Sequence, residues 1–121
     1  MAPAAAHAFP REHRLTVKRA FDRVFKQGVR SRDAHFTVLA CPNDQSGARL
    51  GLAVSRKTAK RATVRNRIKR QVRESFRLIH AELPAADFVV IAKGPSANLE
   101  APAMRESLSR HWRRLSLKCA A

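Results

Sequence analysis

Apolar residues recur every three or four positions at Val64, Ile68, Val72, Phe76 and Ile79, which puts them on one stripe of a helix. The spacing predicts a helix over about Ala62 to Ala81, entered through a loop from Arg56 to Thr63 and stopped by Pro84. Val17, Phe21, Val24 and Phe25 predict a shorter helix ending near Gln27, with Thr16 as N-cap and Gly28 at the C′ position. Met104, Leu108, Trp112 and Leu115 predict a third from about Ala101 to Leu115, with Pro102 in its first turn. Between them lie three β-like runs. His35 to Cys41 and Arg49 to Ser55 flank the turn-forming Pro42–Gly47 segment, so they are expected to pair as antiparallel strands. Gly51 inside the second run marks a bulge or a close backbone approach. Asp87 to Lys93 is apolar almost throughout, which predicts a strand covered on both faces and central in its sheet. The order α-β-β-α-β-α predicts one α+β domain: a small mixed β-sheet packed with helices, over residues 14–117, preceded by a flexible arm (1–13) and followed by a short tail (118–121).

The polar face of the long helix changes this picture. Lys69, Arg73, Asn66, Arg77 and Arg70 fall opposite the apolar stripe, with Arg67 at the margin. From Arg56 to Arg73 the basic residues are Arg56, Lys57, Lys60, Arg61, Arg65, Arg67, Lys69, Arg70 and Arg73, with no acid among them. A solvated helix face ordinarily mixes its signs, because like charges four residues apart repel. Lys69, Arg73 and Arg77 form such a ladder, and an anionic partner would relieve it. The whole chain agrees, with 25 Lys and Arg against 9 Asp and Glu in 121 residues, a formal charge of +16. A hydrophobic fraction of 45% supports a folded globule. Cys41 and Cys119 have neither zinc nor dithiol spacing, and a reduced chain is the simpler expectation. Neither a signal peptide nor a span of about 20 apolar residues is present, so the expected location is cytoplasmic with no membrane partner.

Catalytic chemistry has little to stand on. The nine acids are scattered singly, whereas two-metal phosphodiester cleavage needs carboxylates converging on ions about 4 Å apart. Histidines at 7, 13, 35, 80 and 111 show no pairing for acid–base work, and there is no nucleophile elbow, phosphate-cradling glycine loop or zinc motif. No catalytic residue, bound metal or protein-held cofactor is expected. Binding of nucleic acid is better provided for. Arg65 and Arg67 flank Asn66, combining two guanidinium forks with an amide. Phe21, Phe25 and Phe36 are the aromatic candidates for stacking a splayed base, although a Phe at such spacing is more often core.

The run Val64–Phe76, VRNRIKRQVRESF, closely resembles the arginine-asparagine-arginine signature of the bacterial ribonuclease P protein family. Phe21 to Gly28 is similar to that family's first helix, Arg49 to Lys57 to the strand before the signature, Asp87 to Lys93 to a later strand, and Leu108 to Arg114 to the last helix. The likeness runs in order from about Arg14 to Leu117. It implies an α+β sandwich with an unusual left-handed β-α-β crossover. It implies an endoribonuclease that works as a ribonucleoprotein, in which a catalytic RNA with magnesium removes the 5′ leader of precursor tRNA. Carried onto this sequence, Arg56, Lys57, Lys60, Arg61, Arg65, Asn66, Arg67, Lys69, Arg70 and Arg73 would dock on the catalytic RNA, while Phe21, Phe25, Lys26 and Phe36 would serve the leader. The chain departs from the pattern where some members have a strand tyrosine: here stand Thr37, Val38 and Leu39. The alternative is a general ribosomal or nucleoid-type nucleic-acid binder using the same basic helix.

Overall fold

The computed structural model describes residues 13–44 and 47–120, without the side chain of Ala120. The elements are α1 (Lys18–Gln27), β1 (Val29–Arg32), β2 (Phe36–Pro42), β3 (Arg49–Ala53), α2 (Ala62–Ile79), β4 (Ala86–Ala92) and α3 (Ala101–Ala120), with 3-10 turns at His80–Glu82 and Gly94–Asn98. The strands form a mixed sheet in the order β1-β2-β4-β3. β4 pairs antiparallel with β2 and parallel with β3, so α2 is the connection of a parallel β-α-β unit.

The apolar alternation divides the sheet into two faces. Phe36, Val38, Ala40, Leu50, Phe88 and Val90 project onto one, where α2 brings Ile68, Val72 and Phe76 and α3 brings Met104, Leu108, Trp112 and Leu115. Phe76, Phe88 and Trp112 meet edge to face with centroids 5.7–6.0 Å apart, and Trp112 Nε1 donates to Ser75 Oγ at 2.8 Å. Leu39, Cys41 and Val89 lie on the opposite face beneath Leu15 and Val24, with Phe21 of α1 packed against them. The arrangement is three layers: α1, the sheet, then α2 with α3.

Several expectations need correction. β2 and β3 do not pair, because β4 lies between them. β4 is buried along almost its whole length and takes a partner on each side, and the segment after β2 steps over its start: Asn43 N–H donates to Ala85 O at 3.1 Å. Val29–Arg32, outside the three β-like runs of the sequence, is an edge strand antiparallel to β2. Val17, not Thr16, is the N-cap of α1, without a side-chain cap, and Gly28 is extended (φ −73°, ψ 152°), not left-handed. A Cβ at Gly28 would lie 2.4 Å from Val24 O, so close approach is what requires glycine there. α3 also runs past its expected end, to Ala120. The proposed arm lies outside the described residues except for His13, whose ring stacks on His80 at 3.6 Å. Among the described residues no helix is long and apolar enough to cross a membrane.

Candidate nucleic-acid interface

The segment leading into α2 is pinned from within. Thr58 Oγ1 donates to Ala92 O at 2.8 Å, and Thr58 and Ala59 are buried. Arg65 bends back along the helix and donates through Nη1 to Ala59 O at 2.9 Å and Lys60 O at 2.7 Å. These anchors leave Arg56, Lys57, Lys60 and Arg61 exposed in a fixed loop. α2 then begins with no acid in its first turn and no side-chain cap. The positive end of its dipole therefore faces a cluster of cations, which favours an anion over any further positive charge.

Along α2 the basic positions divide by angle. Arg65 lies nearest the apolar stripe, is half-buried and acts as a staple; Arg67 donates through Nη2 to Ala97 O at 2.7 Å, holding the 3-10 turn after β4. Asn66, Arg70 and Arg73 are exposed, and Lys69 is half-buried beside them. The expected ladder ends at Arg73, because Arg77 is paired with Glu74 one turn back.

Beside Lys69 and Arg73 a recess of about 260 Å³ opens, lined also by Arg14, Phe21 and Gly51. Gly51 is the key to its shape: a Cβ there would lie 2.5 Å from the tip of the Phe21 ring. The glycine is thus a seat for an aromatic ring, the close approach that its position in a strand suggested. Phe25 follows four residues later on the same flank of α1, is 40% exposed, and has the exposed Lys26 beside it. α1 covers only part of its face of the sheet. Thr37 and Ile91, paired in register and sharing the face of Leu39 and Val89, are half-buried, and exposed Arg32 lies opposite Thr37 on β1. The result is a cleft with an aromatic wall, a mildly apolar floor and cations at both ends. Its floor was not read from the sequence; the register of β1 with β2 and β4 supplies it. Phe36 is not part of the cleft. Its side chain projects to the other face, is fully buried with α2 and α3 over it, and offers no surface for stacking.

Two acids, Asp87 and Asp33, are engaged away from this surface. Asp87, fully buried, accepts two hydrogen bonds from Arg49 at 2.8 Å and one from Asn43 Nδ2 at 2.8 Å, with Arg23 3.9 Å away. Asp33 accepts from the N–H groups of His35 and Phe36 at 2.8 Å and from Ser107 Oγ at 2.5 Å. Burial works against its charge, but these bonds and the nearby His111 prevail and hold its carboxyl at about 2. His111 is buried between them, with Nδ1 2.7 Å from Ser31 Oγ and Nε2 3.1 Å from Asp33 Oδ2. Burial pushes its pKa down, against the pull of Asp33. Among the described residues, no group of three or more His, Cys, Asp or Glu could hold a metal ion.

A cationic helix beside an aromatic cleft, on a small three-layer α+β scaffold, defines a class of basic single-domain α+β proteins. The family model for Ribonuclease P matches residues 9–116, and the chain belongs to that family. It is 45% identical over 118 residues to the ribonuclease P protein component of Methylococcus capsulatus, covering 98% of this chain and 92% of that one. It is 50% identical over 107 residues to the ribonuclease P protein component of Escherichia coli, covering 88% and 90%. The solved RNase P protein of Staphylococcus aureus superposes with a TM-score of 0.80 at 31% identity, covering 84% of this chain and 94% of that chain.

Proposed function

We propose that this chain is the protein partner of a catalytic RNA, and that it promotes removal of the 5′ leader from precursor tRNA. The outer arc of α2 (Asn66, Lys69, Arg70, Arg73), with Arg56, Lys57, Lys60 and Arg61 of the preceding loop, docks on the catalytic RNA. Arg65 and Arg67 belong to this surface mainly as struts that fix the loop and the following turn. The cleft takes the single-stranded leader: Phe21 and Phe25 stack its bases, and Lys26 meets its phosphates. Phosphate contacts hold and orient the RNA without reading much sequence. Joining two polyanions costs repulsion, and a protein that places cations between them lowers that cost.

The observation that carries this reading is the absence of carboxylate neutralisation on Lys69, Arg70 and Arg73 among the described residues, beside a cleft whose aromatic wall needs Gly51. The bond-breaking chemistry belongs to the RNA, where magnesium would activate the attacking water and stabilise the leaving oxygen. In this chain the buried Asp87 and the half-buried Asp33 are committed to arginine, amide, hydroxyl and backbone N–H donors, which does not suit a protein-held divalent ion. The cytoplasm is the location this reading expects.

Two binding assays test the division of labour. Lys69→Gln with Arg70→Gln and Arg73→Gln is expected to weaken binding of the catalytic RNA, while Phe21→Ala chiefly weakens binding of leader-bearing tRNA. Equal losses of both variants in both assays would overturn it. A general nucleic-acid binder would treat precursor and mature tRNA alike.

A further inference from the structure

Cations continue beyond the far end of the cleft, along the free edge of the sheet. β1 pairs with β2 on one side only, and α3 runs along it. Lys118 Nζ donates to Arg30 O at 2.7 Å, and Arg114 Nη1 reaches Ser31 Oγ at 3.4 Å. Arg114 and Lys118 lie one helical turn apart, about 6 Å. Alternation along β1 sends Ser31 inward to His111 and leaves Arg30 and Arg32 exposed on the side of the cleft. The hydrogen-bond acceptors of Arg114 and Lys118 are neutral oxygens, so among the described residues both are oriented without being neutralised. From Ser107 to the end of α3 there is no acid, and Asp33, just past the end of β1, is occupied by Ser107, His111 and two backbone N–H groups.

We propose that Arg30, Arg114 and Lys118 form a second phosphate-binding edge, which carries the leader after it leaves the cleft over β1. The proposal rests on the leader reading above and extends it to residues outside the basic helix. Its occupant follows from continuity: a single strand passing from Lys69 and Arg73 along Phe21 and Phe25 meets Arg32 and then this edge. Basic residues near a helix C-terminus also offset the helix dipole. That effect does not depend on what the leader does, and Arg30, on a strand, takes no part in it.

The test is binding of precursor tRNA by the reconstituted RNA–protein holoenzyme as a function of leader length. Three strand spacings make the cleft about 15 Å across, so a leader of about three nucleotides ends within it and one of about ten passes β1. Arg30→Gln with Arg114→Gln and Lys118→Gln is expected to bind the long-leader substrate roughly tenfold more weakly and the short-leader substrate unchanged. The dependence of log affinity on log salt should flatten by about 2 for the long leader only, at about 0.7 per lost single-strand contact. Arg105→Gln with Arg113→Gln removes charge elsewhere on α3 and should leave both substrates alone. If the triple variant melts early, Lys118→Gln alone carries the test with a smaller expected loss. Equal losses on both leaders, or none on the long one, overturn the proposal. A wild-type holoenzyme indifferent to the leader would sink the leader reading and this edge with it; wild-type preference with unaffected variants would sink the edge alone.

Discussion

At the start of β4, Arg49 meets the buried carboxylate of Asp87 with both arms of its guanidinium, and Arg23 approaches the same group while also donating to Pro42 O. On the outer arc of α2, Arg70 and Arg73 stand in solvent with no carboxylate partner among the described residues. The same residue type serves two ends. In the first region a buried carboxylate is matched by partly exposed guanidinium groups, and they tie β3, β4 and the segment after β2 into one corner. In the second they are left unmatched among the described residues, at some cost to the helix, and under the proposed function the RNA supplies the matching charge. Sequence counts treat both sets as basic residues; only their partners tell them apart.

The largest effect expected from breaking the first region is Asp87→Ala. It strands Arg49 beside a hole where its carboxylate was, and should cost roughly 3 kcal/mol by urea denaturation. A variant as stable as the parent would show that the corner is not structural. In the second region, the Lys69, Arg70 and Arg73 to Gln variant should change stability by less than about 0.5 kcal/mol, because exposed positions contribute little and like-charge repulsion is relieved. Its RNA binding should nonetheless lose about 2 from the salt slope. A large stability loss would mean that these cations belong with the first region. Gly51→Ala sharpens the contrast at the border between helix and cleft. Its methyl group displaces the Phe21 ring, at a cost of about 1–2 kcal/mol. Leader binding should suffer while catalytic-RNA binding persists.

The smallest expected effect is on pH dependence. His111, with its pKa pushed down by burial, takes up its proton more readily when unfolded, so stability falls as pH drops from about 6.5 through the lowered value. Asp33, held at about 2, contributes stability above the ordinary carboxylate range that disappears as pH falls from about 4 toward 2. Melting temperature should therefore decline gently between about pH 7 and 5.5, and His111→Gln should flatten that part of the profile. An unchanged slope would remove His111 as its source.

Much of the fold was legible because three helical stripes and one continuous apolar strand carry strong periodic signals. Ile68, Val72 and Phe76 on α2, and Met104, Leu108, Trp112 and Leu115 on α3, are the core they announce. Strand order was not legible. The Pro42–Gly47 segment has the chemistry of a turn, and that chemistry is the same whether the chain returns to its neighbour or steps across a third strand. β1 escaped notice because VRSR carries two cations and one small polar residue, and Ser31 is buried only because His111 comes to meet it from α3. The basic arc of the site could be read from helical angles alone. Arg65 as a staple could not, since its partners are carbonyl oxygens in the preceding loop. Phe36 and Phe21 are both aromatic residues beside polar ones in the sequence; which faces a cleft and which a core depends on where α2 and α3 cover the sheet.

The most direct test of the central claim, that unmatched cations on this chain join leader and catalytic RNA, is cleavage of precursor tRNA by the matching RNA at limiting magnesium, with and without the protein. The protein should accelerate leader removal strongly under those conditions and only weakly once magnesium is abundant. Cleavage at the same rate with and without it, when magnesium is scarce, would contradict the claim.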